Sequence, residues 1–76
     1  MRSALSQDET QILNLCQEPK FIHELMTEIG WKDRTKFRRK FIEILIKEGL
    51  LEMTIPNKFS SRLQKYRTTA KGLKHN

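Results

Sequence analysis

The sequence is short of the residues that several protein classes require. A single cysteine, Cys16, stands among 76 residues, which excludes an internal disulfide. The three glycines are scattered rather than clustered, so no glycine-rich phosphate-binding loop is present. No apolar run approaches the roughly 20 residues that a membrane-spanning helix needs. We therefore expect a small cytoplasmic domain that does not associate with membranes.

Arrangements for catalysis and metal binding are also missing. His23 and His75 have no cysteine or carboxylate at ligand spacing. Glu24 and Glu28 lie one helical turn apart, but a solvated acidic face explains them better than a pair of catalytic carboxylates does. Cys16 falls on an apolar stripe, where an inert core thiol is expected. We expect no enzymatic activity, no metal, no cofactor and no small-molecule substrate.

Positive charge is concentrated in the second half of the chain. The net charge is +6, yet residues 1–30 hold two basic and five acidic side chains, and residues 31–76 hold thirteen basic and four acidic ones. A basic half on a small domain favours a polyanionic partner. The alternative is a solvated surface that only keeps the protein soluble.

Local signals predict two helices in the acidic half. Ser6-Gln7-Asp8-Glu9 is a capping box, and it predicts a first helix over residues 7–17 that Pro19 prevents from continuing. A second helix is predicted over residues 22–29, although Phe21 gives it no capping side chain. Gly30 suits the left-handed residue that ends a helix.

The basic half begins with a third predicted helix, over residues 33–48, which Asp33 caps and Gly49 ends. Its buried stripe is predicted to consist of Phe37, Phe41, Ile44 and Leu45. At about 100° per residue, the opposite side collects polar and mostly basic residues. They are Lys32, Thr35, Lys36, Arg39, Lys40, Glu43 and Lys47.

Four apolar residues of the basic half have more than one interpretation. Ile42 and Ile46 lie beside the predicted stripe, where they either pack under the following strands or mark a dimer or interdomain surface. Trp31 is expected to fill the junction of two helices rather than stack on a base. Phe59 can sit on the hairpin, insert into a groove or join a partner.

After Gly49 the apolar period changes from helical to alternating. Residues 51–55 and 62–69 predict two strands, and the polar residues 56–61 predict the loop of a hairpin. Tyr66 is expected in the core. Three helices followed by a hairpin predict an α+β, mainly α, winged helix-turn-helix fold. We expect the domain to cover residues 6–72, with residues 1–5 as a disordered tail or expression remnant and residues 73–76 as a C-terminal tail.

Several stretches resemble a known module. Residues 49–56 (GLLEMTIP), 61–68 (SRLQKYRT) and 34–38 (RTKFR) are similar to the winged-helix domain at the C-terminus of Fic-family proteins and of transcriptional regulators with a Schlafen-type (AlbA-2) N-terminal domain. The resemblance implies a DNA-binding or regulatory part of a larger bacterial or archaeal protein. It implies no nucleotidyl transfer by this chain, since the Fic catalytic His-Pro-Phe motif is absent. Two departures stand out: Phe21 and Ile22 occupy the place of a small polar cap, and Phe59 lies in the hairpin loop where a small residue or proline is usual in the module.

The fold and charge together predict binding of double-stranded DNA. The third helix would enter the major groove while the hairpin of residues 50–69 lies on the backbone. Arg39 and Lys36 would read base edges, and Thr35 and Lys32 would orient the helix. The predicted phosphate contacts are Lys40, Lys58, Arg62, Lys65 and Arg67. The alternative is a protein-interaction module, as a homodimer or beside a covalently linked N-terminal domain, with Ile42, Ile46 and Phe59 at the interface.

Overall fold

A computed structural model describes residues 5–58 and 62–73 of the chain, so Phe59 and most of the predicted tails lie outside the described residues. The order of elements confirms the predicted α+β arrangement of three helices and a hairpin. The first helix is Gln7–Leu15, the second is Ile22–Ile29, and the third covers residues 34–47; strands β1 (Leu51–Met53) and β2 (Tyr66–Thr68) and a short C-terminal helix (Ala70–Leu73) follow. Within this part of the chain, no helix has the length and apolar character needed to cross a bilayer.

The predicted capping box starts the first helix. The Ser6 N–H donates to Glu9 Oε1 at 3.0 Å, and the Glu9 N–H donates to Ser6 Oγ at 3.2 Å. The helix ends at Leu15, two residues earlier than predicted, and Cys16 is its cap. Two of the four backbone donors that a helix start leaves unpaired are thus satisfied by local side chains.

The second and third helices also begin on carboxylates. Glu24 Oε1 accepts the Phe21 N–H at 2.9 Å, so a residue inside the first turn compensates for the missing capping side chain. Asp33 Oδ1 accepts the Lys36 N–H at 3.1 Å, as predicted. Gly30, at a φ of 89°, provides the left-handed end of the second helix between them.

The third helix departs from regular α geometry in its middle. Its turns Arg34–Phe37 and Glu43–Lys47 are α-helical, but Arg38–Ile42 is π-helical, with the Glu43 N–H donating to the Arg38 carbonyl. The predicted stripe is therefore wrong at one position. Ile44 is 38% exposed, whereas Ile42 is 1% exposed and belongs to the core. The wider π turn rotates all later residues, and this rotation exchanges the two isoleucines.

The hairpin is antiparallel, and its register pairs Leu51 with Thr68 and Met53 with Tyr66. Both strands are shorter than predicted. An isolated bridge joins Lys20 to Tyr66, so β2 lies between β1 and the link that precedes the second helix. Thr68 ties β2 to the end of the first helix: its hydroxyl donates to the Leu13 carbonyl at 2.7 Å and its N–H to the Cys16 carbonyl at 2.8 Å.

One core joins the helices to the hairpin. Burial of Tyr66 and Cys16 confirms their predicted places in it, and burial raises the pKa of the Cys16 thiol from 9.0 to about 12. Leu5 packs against this core from the N-terminal side. The buried apolar residues are Ile12, Leu13, Cys16, Ile22, Leu25, Phe37, Phe41, Ile42, Leu45, Leu50, Leu51 and Tyr66.

Candidate nucleic-acid interface

The side of the third helix that faces away from the core is fully open to solvent. Every residue that the sequence placed there is exposed. We call this set the helix face: Lys32, Thr35, Lys36, Arg39, Lys40, Glu43 and Lys47. Five of its members carry a positive charge and one carries a negative charge, so the exposed side of the helix is cationic along its length.

An aromatic cluster holds the helix face in place from behind. The rings of Phe37 and Phe41 lie 5.4 Å apart, and Trp31 meets Phe41 edge-on at 5.3 Å and Phe37 at 6.0 Å. Edge-to-face and tilted pairs at these distances are favourable beyond the area that they bury. Trp31 therefore packs at the helix junction, as predicted, and fixes the rotation of the third helix.

Lys40 differs from the rest of the helix face because its charge lies over this cluster. Its Nζ is 5.5 Å from the centroid of the Trp31 ring and 5.7 Å from that of Phe41. Such cation–π contacts contribute about 0.5–1 kcal/mol at exposed sites. Lys40 is thus restrained at one edge of the face, whereas the structure leaves Lys36 and Arg39 extended into solvent.

The start of the hairpin loop is held by one buried amide. Gln64 is 5% exposed, and its Oε1 accepts the Ile55 N–H at 2.9 Å. Its Nε2 donates to the carbonyls of Ile55 and Lys58. The side chain thereby acts as a further rung of the hairpin. Lys58 and Arg62, both predicted phosphate contacts, are exposed.

The two predicted cations nearer the base of the hairpin are already engaged. Arg67 donates to Glu52 Oε2 from Nη2 at 3.0 Å and from Nε at 3.2 Å. Lys65 Nζ lies 4.7 Å from the centroid of the Phe21 ring. The sequence did not predict either of these contacts. Each of these two cations must give up its present contact before it can bind a phosphate.

Arg34 and Arg38 are basic residues of the third helix that the sequence prediction omitted. Burial raises the pKa of the Tyr66 phenol, and the positive charges of Arg38 and Arg34 oppose that rise. Arg38 lines a groove together with Tyr66 and Met53, so its side chain lies on the hairpin side of the third helix rather than on the helix face. Its spacing of four from Ile42 is the signal in the sequence that places it there.

A groove of about 370 Å³ separates the third helix from the hairpin. Its walls are mostly apolar, and Arg38, whose Nε is shielded from solvent without a hydrogen-bond partner, lies along it. We call it the helix–hairpin groove, and its lining residues are Arg38, Ile42, Glu43, Ile46, Lys47, Met53 and Tyr66. Both isoleucines predicted for an interface line the groove, but Ile42 is 1% exposed whereas Ile46 is half-buried, so Ile46 presents the larger surface.

The domain has three helices, of which the third exposes one side, and a hairpin that is bridged to the link before the second helix. Together these features define a winged-helix domain. More particularly, the chain belongs to the family described as "Filamentation induced by cAMP protein Fic-like, C-terminal domain", whose model matches residues 9–69. The family resemblance expected from the hairpin residues is thereby confirmed.

A solved structure supports the same assignment. The chain is similar to a Fic family protein from Desulfovibrio desulfuricans G20, with 26% sequence identity and a TM-score of 0.70. The similarity covers 90% of this chain and 22% of that protein, so this domain corresponds to about a fifth of its relative. No curated protein matches the chain.

Proposed function

We propose that this domain binds duplex DNA, with the third helix in the major groove and the hairpin beside the phosphate backbone. The observation that carries the proposal is the helix face: one side of the helix is cationic and exposed while the other is anchored in the core. A major groove about 12 Å wide admits an α-helix presented in this way. A purely solubilising surface would not require the aromatic cluster to fix its orientation.

The proposed contacts differ in kind along the helix face. Arg39 and Lys36 extend from its middle and would meet base edges, where an arginine fork matches the two acceptors of guanine. Thr35 and Lys32 would orient the N-terminal end of the helix. Lys40, held over the aromatic rings at the edge of the face, would contact a phosphate.

On the hairpin, the proposed phosphate contacts fall into two groups. Lys58 and Arg62 are exposed and lie beside the segment that Gln64 fixes. Lys65 and Arg67 would first have to leave Phe21 and Glu52. We therefore assign Lys58 and Arg62 the larger part of the backbone contact.

The direct test is an anisotropy titration of labelled random duplex DNA at several salt concentrations. Each neutralised phosphate should contribute about −0.9 to the slope of log K against log salt. A Lys71→Gln variant is a matched control, because Lys71 is an exposed cation that donates to the Glu48 carbonyl, outside the helix face. Binding that is flat between about 50 and 200 mM salt would contradict the proposal.

A second candidate function, binding of a neighbouring protein segment, is favoured by the helix–hairpin groove. The groove is apolar, and Leu63 near the hairpin loop is 71% exposed. Sedimentation velocity at several concentrations tests this candidate for self-association. Ile46→Asp should abolish a salt-insensitive dimer, whereas Ile44→Asp, exposed on the same helix but outside the groove, should not. A monomer at all concentrations would remove the homodimer from consideration.

A further inference from the structure

The π turn in the third helix contains one residue more than the core needs. The buried side chains around it are Phe37, Phe41, Ile42 and Leu45, spaced i, i+4, i+5 and i+8. A regular helix buries positions i, i+3, i+4 and i+7. The two patterns become identical when one position is removed between Phe37 and Phe41. A π turn accommodates such an extra residue without breaking the helix.

If all four buried side chains are to stay in the stripe, the surplus position lies between Phe37 and Phe41, and every residue there is basic. Arg38, Arg39 and Lys40 are the three residues between Phe37 and Phe41. Phe37 and Phe41 are both fixed by contact with Trp31, so the intervening segment has to arch outward. Arg39 and Lys40 are exposed, and Arg38 turns toward the hairpin side.

From this arrangement we infer that the π turn is a specificity-determining element of DNA binding, in which one inserted cation is added to the helix face while the core stripe stays in register. The inference rests on the proposed function. The same insertion rotates Glu43 and Lys47 relative to Lys36, because every residue after a π turn is displaced around the helix axis. The turn would therefore set which side chains of the helix face reach the bases, and with them the sequence preference.

Deletion of a single residue tests whether the π turn serves DNA binding rather than the stability of the fold. Deletion of Arg39 should leave a regular helix with its stripe intact, so the melting temperature should stay within about 5 °C of that of the parent chain. Deletion of Glu43 is the matched control. It removes another exposed residue, just after the π turn, and leaves the four buried side chains spaced i, i+4, i+5 and i+7. A helix cannot bury all four at that spacing, so Ile42 or Leu45 should leave the core and the melting temperature should fall by at least about 10 °C.

The binding readout uses random duplex DNA and the same salt series. Deletion of Arg39 should weaken binding at least fivefold or so, because it removes a base contact and rotates the residues that follow the turn. The Arg39→Gln variant keeps the chain length and the π turn but removes the charge. It should relax the sequence preference only at the base pair that Arg39 contacts, whereas the deletion should also shift the preference at other positions in a selection from a randomised pool.

The outcomes distinguish the two levels of the proposal. If deletion of Arg39 destabilises the fold as much as deletion of Glu43, no surplus residue exists and the inference is wrong. If the deletion variant folds and binds with the parent affinity, slope and preference, the turn has no role in binding although the domain does bind DNA. If the parent chain binds no duplex, the proposed function fails and the assignment of the turn fails with it.

Discussion

The helix face carries five cations and the hairpin four, but the two surfaces expose them differently. On the helix, Lys36 and Arg39 extend from an aromatic base into solvent. On the hairpin, Arg67 is paired with Glu52 and Lys65 lies over Phe21. The comparison teaches that a count of charges overstates the number of cations that are available to bind a ligand. A cation with a partner in the protein must first give up that contact.

The largest expected effect comes from removing the support behind the helix face. Phe37 is 0% exposed, and Phe37→Ala should cost about 3–5 kcal/mol of unfolding free energy. Ile44→Ala, at a position that is 38% exposed, should cost less than about 1 kcal/mol. Urea denaturation followed by circular dichroism measures both. Equal losses of unfolding free energy in the two variants would mean that Ile44 is buried, and that the π turn does not put Ile42 in the core in its place.

The next effect contrasts the two surfaces directly. Arg39→Ala should cost about 1–3 kcal/mol in binding to a preferred duplex and relax the sequence preference. Lys65→Ala should weaken binding to all sequences alike and change the salt slope by less than 0.9 or so, because its charge already contacts Phe21. Anisotropy titrations with a selected and a scrambled duplex separate the two. A larger loss for Lys65 than for Arg39 would reverse the comparison.

A smaller effect should come from releasing an engaged cation of the hairpin. Glu52→Gln frees Arg67 and should steepen the salt slope of duplex binding by up to about 0.9. The pair is about half exposed, so the loss of unfolding free energy should stay below about 1 kcal/mol. Glu52→Gln combined with Arg67→Gln is the control and should show no steepening. An unchanged slope in the single variant would place Arg67 away from the DNA.

The smallest expected signal is the reactivity of the Cys16 thiol, which is buried in the core beneath the hairpin, toward a disulfide reagent. Burial raises the pKa of this thiol to about 12, so at pH 8 it should stay protonated and react with a disulfide reagent only after unfolding. Because the folded pKa lies above the unfolded value of 9.0, stability should be retained below pH 9 and decline from there toward about pH 12. Rapid labelling at pH 8 without loss of helical signal would mean that the hairpin opens locally.

Features that depend on neighbouring residues in the chain were predictable from the sequence. The Ser6 capping box, the Asp33 cap and the left-handed Gly30 each follow from side-chain chemistry within three or four positions. The cationic side of the third helix also followed from its spacing, since all of its seven predicted members are exposed.

Features that depend on geometry summed over several turns were not predictable. The assumption of about 100° per residue fails at the π turn, so Ile44 was wrongly assigned to the buried stripe and Ile42 was placed beside it with two interpretations open. The pairing of Arg67 with Glu52 requires the strand register, and the contact of Lys65 with Phe21 requires the bridge between Lys20 and Tyr66. Neither register nor bridge is encoded by adjacent residues.

The hydrogen bonds of Thr68 have a consequence for how the domain is made. The bond to Leu13 joins residues 55 positions apart, and Thr68 also closes on Cys16. A chain emerging from the ribosome can form its helices early, but these contacts form only after β2 has left the exit tunnel. We expect the acidic and basic halves to become one cooperative unit at that moment, so that a nascent chain stalled before Thr68 presents its apolar residues to chaperones rather than a folded surface to a ligand.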